Sequence, residues 1–582
     1  MLNLPYSYHT FLFPFIWNDD GKTTMEDFQK KLAPEWKNVK WENIFGENVC
    51  TDDYKLEYAK YQYFTPAMRK LLFPKDNLAM MPYVYCDKND KPIHENANYF
   101  IAKTIGSNGI METTFYKLII NGIKLKIFNS GIAIMVFEME YKGDKAIAIR
   151  TESEYKCKRP KIEDAGEYKC FPFSLDDINK INEYGRRICL PFIGEKDKPG
   201  IITADEIKIC ICGESTICSD FSEIVEKFHA GKNEFVLTHI MDSITQLLGD
   251  SFTSNKEKCG ETFIYPAVDD RMFVCCLIVN QNLSDKLKGL DTIEQSFLNG
   301  WDKRLVTIGA DDAKYITDIG CERKYASYKE GWGDETTFSN QVYKFMFIEN
   351  DLTCQNTIMK KDLLEKSVYE RWTNMGTLYG VTHHSLVCIT NENVVDSVIY
   401  PFLTLYVDMA IVALAQRATI LSLSAQAAEF ANNLNTDNLN RIRDIEQIEE
   451  LQKNYVKAQS QIMLFEVTTQ EQGVEIFNML KEQLYIKENK AELDDQMNNL
   501  RDVASITYDH IEHDTDKKLN EKLGIVAIIA LILAAFQVIF PLFWDTECCL
   551  VLRLILTVIV VGVAVAGGLI YSGKINSPKK KK

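Results

Sequence analysis

The strongest constraint on this chain lies near its C-terminal end. Leu523 to Trp544 reads LGIVAIIALILAAFQVIFPLFW without a single charge, and Cys548 to Tyr571 reads CCLVLRLILTVIVVGVAVAGGLIY with one, Arg553. Either run exceeds the roughly 20 apolar residues that cross a ~30 Å hydrocarbon core. Inside lipid every backbone polar group must be satisfied internally, so each run is expected to be a helix. Only Asp545-Thr546-Glu547 separates them, which makes the two an antiparallel transmembrane hairpin. Lys517, Lys518 and Lys522 precede the first run, Lys574 and Lys579 to Lys582 follow the second, and the connection carries no Lys or Arg. Basic flanks stay on the cytoplasmic side. The expectation is therefore a multi-pass protein of the inner (cytoplasmic) membrane with both termini cytosolic, membrane lipid around the hairpin, and Asp545 and Glu547 at an outer mouth.

A chain of 582 residues leaves room for about three or four domains. Its 46% hydrophobic and 25% charged content suits a sizeable core. The net charge of −16 argues against a surface that coats nucleic acid, so no direct nucleic-acid partner is expected. Sixteen cysteines are scattered without a CxxC pair. Cys210, Cys212 and Cys218 lack a fourth ligand, and His510, His513 and Asp514 lack a clear partner, so no metal site is assigned. A Walker loop, a dinucleotide fingerprint, HExxH and a nucleophile elbow are all missing from the sequence, which speaks against an enzyme and a covalent cofactor.

The N-terminal stretch MLNLPYSYHTFLFPFIW is broken by Pro5, His9 and Pro14 and reads as strand and loop. FYKLII, IKLKIF, IAIMVFEME and KAIAIR, separated by Asn121-Gly122, Asn129-Ser130-Gly131 and Lys142-Gly143-Asp144, predict a four-stranded antiparallel meander. Ser174 caps a predicted helix through Ile188; IKICIC (207–212) and MFVCCLIV (272–279) read as strands, 219–249 as two helical patterns, and 303–309 and 377–390 as further strands. Together these predict a cytosolic α/β domain over 1–395.

After Pro401 glycine and proline nearly vanish and apolar residues recur at helical spacing. The run 402–430 has the length of a membrane span, but Asp408 and Arg417 lie within it, and a charge at mid-bilayer costs at least about 2.5 kcal/mol. A buried bundle helix is expected there. Helices are also expected over about 436–465 and 469–486. Another begins near Glu488 and meets no Gly or Pro before Gly524, so it continues into the first apolar run. The layout is thus 1–395, a helical layer at 396–487, a stalk helix at 488–522, spans at 523–544 and 548–571 joined by 545–547, and a basic cytosolic tail at 572–582.

The stalk helix carries the clearest functional pattern. Leu493, Met497, Leu500, Ala504 and Ile511 form an apolar stripe for helix packing. A different face carries Asp495, Asp502, Asp509 and Asp516, with Asn499, Ile506, His513 and Asn520 between them. The same alternating spacing continues through Leu523, Ala527, Ala530, Ala534 and Gln537. Placed around a symmetry axis, Asp502, Ile506, Asp509, His513, Asp516, Asn520, Leu523, Ala527, Ala530, Ala534 and Gln537 would line a funnel. Rings of carboxylates gather cations, and a narrow apolar stretch gates by dewetting, with Leu523 and Ala527 near the constriction. The other reading of this spacing is a solvated face followed by helix-packing alanines. One hairpin cannot enclose a pore, so the funnel requires a homo-oligomer.

A large α/β domain, a helical layer, a long helix continuous with the first span, a short acidic connection and a second span with a basic tail resemble the CorA family, over roughly 400–574. The resemblance implies a CorA-like funnel, a pentamer whose first span lines the pore, and divalent-cation (Mg) transport as one possible activity. The family carries Gly-Met-Asn at the outer end of the first span; this chain carries FPLFWDTE (540–547).

VDDRMFVCCLI (268–278) and RWTNMGTLYGVTHHSLVCIT (371–390) are similar to stretches of the CorA-like membrane effectors of type III CRISPR systems. That resemblance implies a ligand-gated ion channel acting in antiviral defence. A nucleotide second messenger, in one branch an S-adenosylmethionine–AMP conjugate, would be sensed by the cytosolic domain and open the pore. Arg271 and Arg371 could pair with a phosphate, Trp372 and Tyr379 could stack an adenine, and His383 and His384 could hydrogen-bond it. The alternative for the first motif is a core strand with Asp269 or Asp270 serving Arg271.

Overall fold

The computed structural model describes residues 7–17, 23–40, 51–75, 79–94, 97–107, 110–141, 147–153, 169–171, 175–188, 204–211, 216–220, 242–254, 261–288, 338–349, 354–433, 441–544 and 562. The expected strand at 303–309, the connection 545–547 and the second apolar run, apart from Gly562, lie outside these residues, as does the basic tail. The chain divides into two compact units. The first comprises Met1–Glu429 and Glu450–Gln496, the second Phe430–Glu449 and Met497–Lys582.

The first unit is built on one mixed sheet. Its main strands are β1 (Ser7–Ile16), β2 (Met80–Tyr85), β3 (Ala97–Ser107), β4 (Ile110–Phe128), β5 (Ile132–Tyr141), β6 (Ile147–Ser153), β7 (Glu206–Ile211), β8 (Ile217–Asp220), β9 (Phe273–Val279), β10 (Val368–Tyr369), β11 (Leu378–Val381) and β12 (Ser385–Thr390). They run β8-β7-β3-β4-β5-β1-β9-β12-β11-β10, with β2 and β6 also paired to β4. All of these pairs are antiparallel except β9 with β12, where Val274 faces Ser385 and Val279 faces Thr390. The apolar N-terminal stretch becomes β1 at the centre of the sheet. Its Phe11, Phe13 and Phe15 are fully buried, which explains why nine of its ten positions exclude solvent.

The expected meander is present with one correction. Asn121-Gly122 is not a hairpin turn. FYKLII and IKLKIF belong to one 19-residue strand, β4, with a bulge between Ile120 and Gly122. Each half has different neighbours: β3 and β6 flank the first, β2 and most of β5 the second. A fold back at Asn121 would forfeit those pairings, so the Asn-Gly signal is spent on the bulge. Gly131, at φ 84°, supplies the turn between β4 and β5 as expected. KAIAIR pairs with β4 rather than with its sequence neighbour β5.

The main helices are α1 (Thr51–Tyr63), α2 (Pro66–Leu72), α3 (Leu175–Gly185), α4 (Phe338–Phe347), α5 (Val407–Asn433), α6 (Arg441–Gln461), α7 (Glu471–Gln483) and α8 (Ile486–Trp544). Two wide π-helical segments, Val395–Ile399 and Phe402–Tyr406, flank Pro401 before α5. Proline lacks an N–H and its ring crowds the carbonyl a turn earlier, and wider turns relieve both. Among the described residues, 392–431 is the one helix found long and apolar enough to cross a membrane. Of its most apolar window, 78% is buried inside protein. Most of the helical layer expected from 396 onward belongs to the same unit as the sheet.

What lets a charged position sit inside this apolar helix is a triad. Asp408, 5% exposed, receives a hydrogen bond from Lys126 of β4 at 2.6 Å and meets Lys60 of α1 at 2.6 Å. The Lys60 contact is an ion pair without hydrogen-bond geometry at Asp408 Oδ2. Burial pushes the Asp408 carboxyl up, but the two ammonium groups more than offset this and hold it well below the usual range. One carboxylate cannot serve both lysines equally: Lys60 is raised despite its burial, whereas burial leaves Lys126 lowered. Asp408→Ala would leave two buried ammonium groups uncompensated. It should destabilise the fold by about 3–5 kcal/mol, read as a lower thermal unfolding midpoint of the purified chain.

His9 on β1 ties the sheet to α3. Its Nδ1 donates to Asn182 Oδ1 at 2.7 Å and its Nε2 accepts from the Ser7 hydroxyl at 3.0 Å. Burial lowers its pKa from 6.5 to about 4. The unfolded chain therefore binds a proton that the folded chain refuses between those values, and stability falls as pH drops through that window. The shift corresponds to about 3 kcal/mol. A His9→Gln chain should lose this part of the pH dependence between pH 6.5 and 4 in urea titrations, whatever its stability at pH 7.5.

Candidate anion-binding site

Helix α3 ends at Gly185, where a Cβ would lie 2.6 Å from the Phe11 ring. The chain then extends as Arg186-Arg187 and pairs with the segment before β9: Met272 N donates to Arg186 O at 2.7 Å, and Arg187 bridges Arg271. The guanidinium groups of Arg186, Arg187 and Arg271 are thereby held together at the amino end of β9. The amino end of β12, the strand parallel to it, contributes His384 and the preceding His383.

Arg271 pairs with Asp269 at 3.0 Å through Nη2 and with Asp270 at 3.3 Å through Nε. Arg187 Nη1 donates to Asp270 Oδ2 at 3.1 Å. His384 Nδ1 lies 3.4 Å from Asp269 Oδ2. Burial lifts both carboxyls. At Asp269 the Asp270 hydrogen bond and Arg271 overcome that and hold it well below the usual range, while Asp270, bonded to an ionised neighbour, stays raised. The expected pairing of Arg271 with an adjacent aspartate is thus present.

Arg186 is different. It is 2% exposed, and its Nη2 donates to the Ile348 carbonyl at 3.1 Å. Ile348 lies just past the end of α4, where exposed carbonyls give a helix its negative pole. Among the described residues, Nε and Nη1 of Arg186 and Nε of Arg187 have no hydrogen-bond partner. Burial, then Arg271 and Arg187, push the Arg186 pKa down to about 9. Burial likewise lowers Arg187. A buried guanidinium with open N–H groups is expensive to keep. An anion among these arginines would supply acceptors in the planar, bidentate geometry that guanidinium groups favour.

His383 joins the site to two helices. Its Nε2 accepts from Arg417 Nη2 of α5 at 2.7 Å, and its Nδ1 donates to the Gln483 carbonyl at the end of α7 at 2.9 Å. Its ring stands 4.9 Å from that of His384 and 5.7 Å from that of Tyr485. Burial and the Arg417 charge lower the His383 pKa; burial, then Arg271 and Arg186, lower that of His384. Both rings are therefore neutral at physiological pH and add no charge to the site; both nitrogens of His383 are taken by Arg417 and Gln483.

The six sequence-selected ligand residues fall into two groups. Arg271, His383 and His384 belong to this site. Arg371, Trp372 and Tyr379 are engaged elsewhere, with the first half of α7. Arg371 pairs with Glu471 at 2.7 Å and Glu475 at 2.8 Å, Trp372 Nε1 donates to Gln472 at 2.7 Å, and Gln472 donates to the fully buried Tyr379 at 3.3 Å. These contacts dock α7 on the sheet edge. Sequence reading passed over Arg186, Arg187 and Arg417. The available signal was the arginine doublet directly after the terminal glycine of a helix, in EYGRRI.

Of the pore-face residues, Asp502, Ile506, Asp509, His513, Asp516, Asn520, Leu523, Ala527, Ala530 and Ala534 lie on α8 and are solvent-exposed in the single chain. Gln537 lies on α8 as well. Asp545 and Glu547 are outside the described residues. Leu493, Met497 and Leu500 of the apolar stripe are buried. Compared with known proteins, the chain matches no family model, no curated protein and no solved structure at a significant level.

If the cluster exists for a ligand, removing its central charge has opposite effects with and without that ligand. Arg186→Met should leave the ligand-free chain as stable as the wild type or more so, because an uncompensated buried charge is gone. It should abolish the stabilisation produced by an anionic ligand, which at a hundredfold excess over Kd amounts to about 2.7 kcal/mol. A loss of stability without ligand would mark Arg186 as a structural residue serving Ile348.

Proposed function

We propose that this chain is one subunit of a homo-oligomeric, pentameric ligand-gated ion channel of the inner membrane, opened when a nucleotide second messenger occupies the arginine site. In this reading it acts as an antiviral effector of the type III CRISPR class, and its open pore disrupts the host membrane. The messenger is an anionic nucleotide, for which an S-adenosylmethionine–AMP conjugate is the first ligand to test.

The observation that carries the reading is α8. It is one helix of 59 residues. Its start is packed through Leu493, Met497 and Leu500, while Leu519, Leu523, Ile525, Val526, Ile528 and Leu531 are exposed in the single chain. An apolar surface of this kind calls for lipid or further copies of the chain. The arginine site supports the gating half. His383 links it to the last carbonyl turn of α7, and Tyr485, in the left-handed conformation at φ 53°, joins α7 to α8. A messenger that prefers one arrangement of this joint shifts the population of the pore accordingly.

The test is ion flux from liposomes carrying the purified chain. Flux should require the nucleotide, and Arg186→Met should remove it. Flux that ignores nucleotides and falls as Mg²⁺ rises would instead favour a CorA-type magnesium transporter. Nucleotide binding without flux would favour a membrane-tethered receptor. Leu523→Glu should change single-channel conductance if that face lines the pore; an unchanged current would sink the assignment.

A further inference from the structure

Away from the arginine cluster, the first unit holds a second place suited to negative charge. Helices α1 and α2, with the segment that follows them, form one side of an open cleft of about 790 Å³; Ser460 and Gln461 at the end of α6, with Leu464, form the other. The volume falls within the range of roughly 300–1,000 Å³ typical of small-ligand sites. Arg69, Lys70 and Lys75 line it, and among the described residues no carboxylate does. In a chain with 82 acidic against 66 basic residues, that selection of sign is not a fair sample of the surface.

Arg69 is held in place by neutral groups. Its Nε donates to Phe64 O at 2.7 Å, its Nη2 donates to Gln62 O at 2.9 Å, and the guanidinium carbon stands 4.8 Å from the centre of the Tyr61 ring. Carbonyl bonds and ring stacking fix its direction without cancelling its charge. Tyr61 and Phe73, edge to face at 5.6 Å, give the cleft an aromatic wall beside these cations. The opposite wall is fixed as well. Gln416 Nε2 of α5 donates to Ile462 O at 2.9 Å and to Leu464 O at 3.1 Å, and the Asn129 amide donates to Gln461.

We propose that this cleft binds a small organic phosphate, with the phosphate on Arg69 and Lys70 and an apolar or aromatic body against Tyr61 and Phe73. Such a group comes either from a soluble nucleotide or from the headgroup of an anionic lipid. Bound there, it touches α1 and α2 on one side and the end of α6 on the other.

Titration calorimetry on the detergent-solubilised full chain tests the idea, with ADP and dihexanoyl phosphatidic acid as probes. The Arg186→Gln background silences the arginine site. In that background at least one probe should bind, and Arg69→Gln should weaken it at least tenfold. Lys70→Glu, at an exposed position, should do the same and serves if Arg69→Gln impairs folding. Tighter binding of ADP assigns the site to a soluble ligand, and tighter binding of the lipid assigns it to a headgroup. Absence of binding by both probes, or affinities within twofold of the parent in both variants, overturns the proposal. The Arg69-dependent binding is read separately from the arginine site, so either can fail alone.

Discussion

The first unit depends on a single buried carboxylate. Asp408 holds together three elements from distant parts of the chain: α1 through Lys60, β4 through Lys126, and its own helix α5. A buried ion pair adds little net stability over well-packed apolar residues, but losing one partner is severe. The triad therefore acts as a register pin. It fixes which turn of α5 meets the sheet. Arg417 follows nine residues later, two and a half turns or about 13 Å along the same helix. The pin at Asp408 thus sets where Arg417 meets His383.

At that far end the chain does the opposite of what a core requires. Arg186 and Arg187 are buried beside Arg271, and each lowers the affinity of its neighbour for a proton. Asp269 and Asp270 compensate part of the charge, and the carbonyl at Ile348 takes one N–H. The remaining open N–H groups are a standing cost to the folded state. Sequences retain costs of this kind where function needs them, because stability selected alone would replace the arginine with an apolar residue. Neutral histidines beside the cluster fit the same logic. They shape the site and add hydrogen bonds without adding a further like charge.

Much of the fold was legible because it rests on local signals. Turn residues and short runs of apolar and β-branched residues marked β5, β7 and β9, and helical periodicity after Pro401 marked α5, α6, α7 and the unbroken α8. The charge argument at Asp408 and Arg417 pointed to a buried helix, and the structure shows the ion pairs that make burial tolerable. Asn121-Gly122 misled because a bulge and a hairpin ask for the same backbone freedom, and only the neighbours of β4 decide between them. The site was half legible. Arg271, His383 and His384 sit in apolar strand motifs where a charge is conspicuous. Arg371 and Trp372 carry the same chemistry, yet Glu471, Gln472 and Glu475, a hundred residues away, claim them. Arg186 and Arg187 reach the site through a long-range bridge to residue 271, which no local pattern announces.

Helix α8 poses the last question of solvent. Its beginning obeys the rule of a soluble protein, with Leu493 at 1% and Met497 at 4% exposure. Further along, Ile528 is 61% and Leu531 72% exposed in the single chain, with no charge from Leu523 to Trp544. A helix this apolar on every side is stable in water only when covered. Lipid accounts for the uncharged run from Leu523 onward, while Asp502, Asp509 and Asp516 lie before it and are exposed. In the proposed assembly, copies of the chain around an axis would give each side of the helix its own neighbour: protein, lipid, or a column of water lined first by carboxylates and then by small apolar residues.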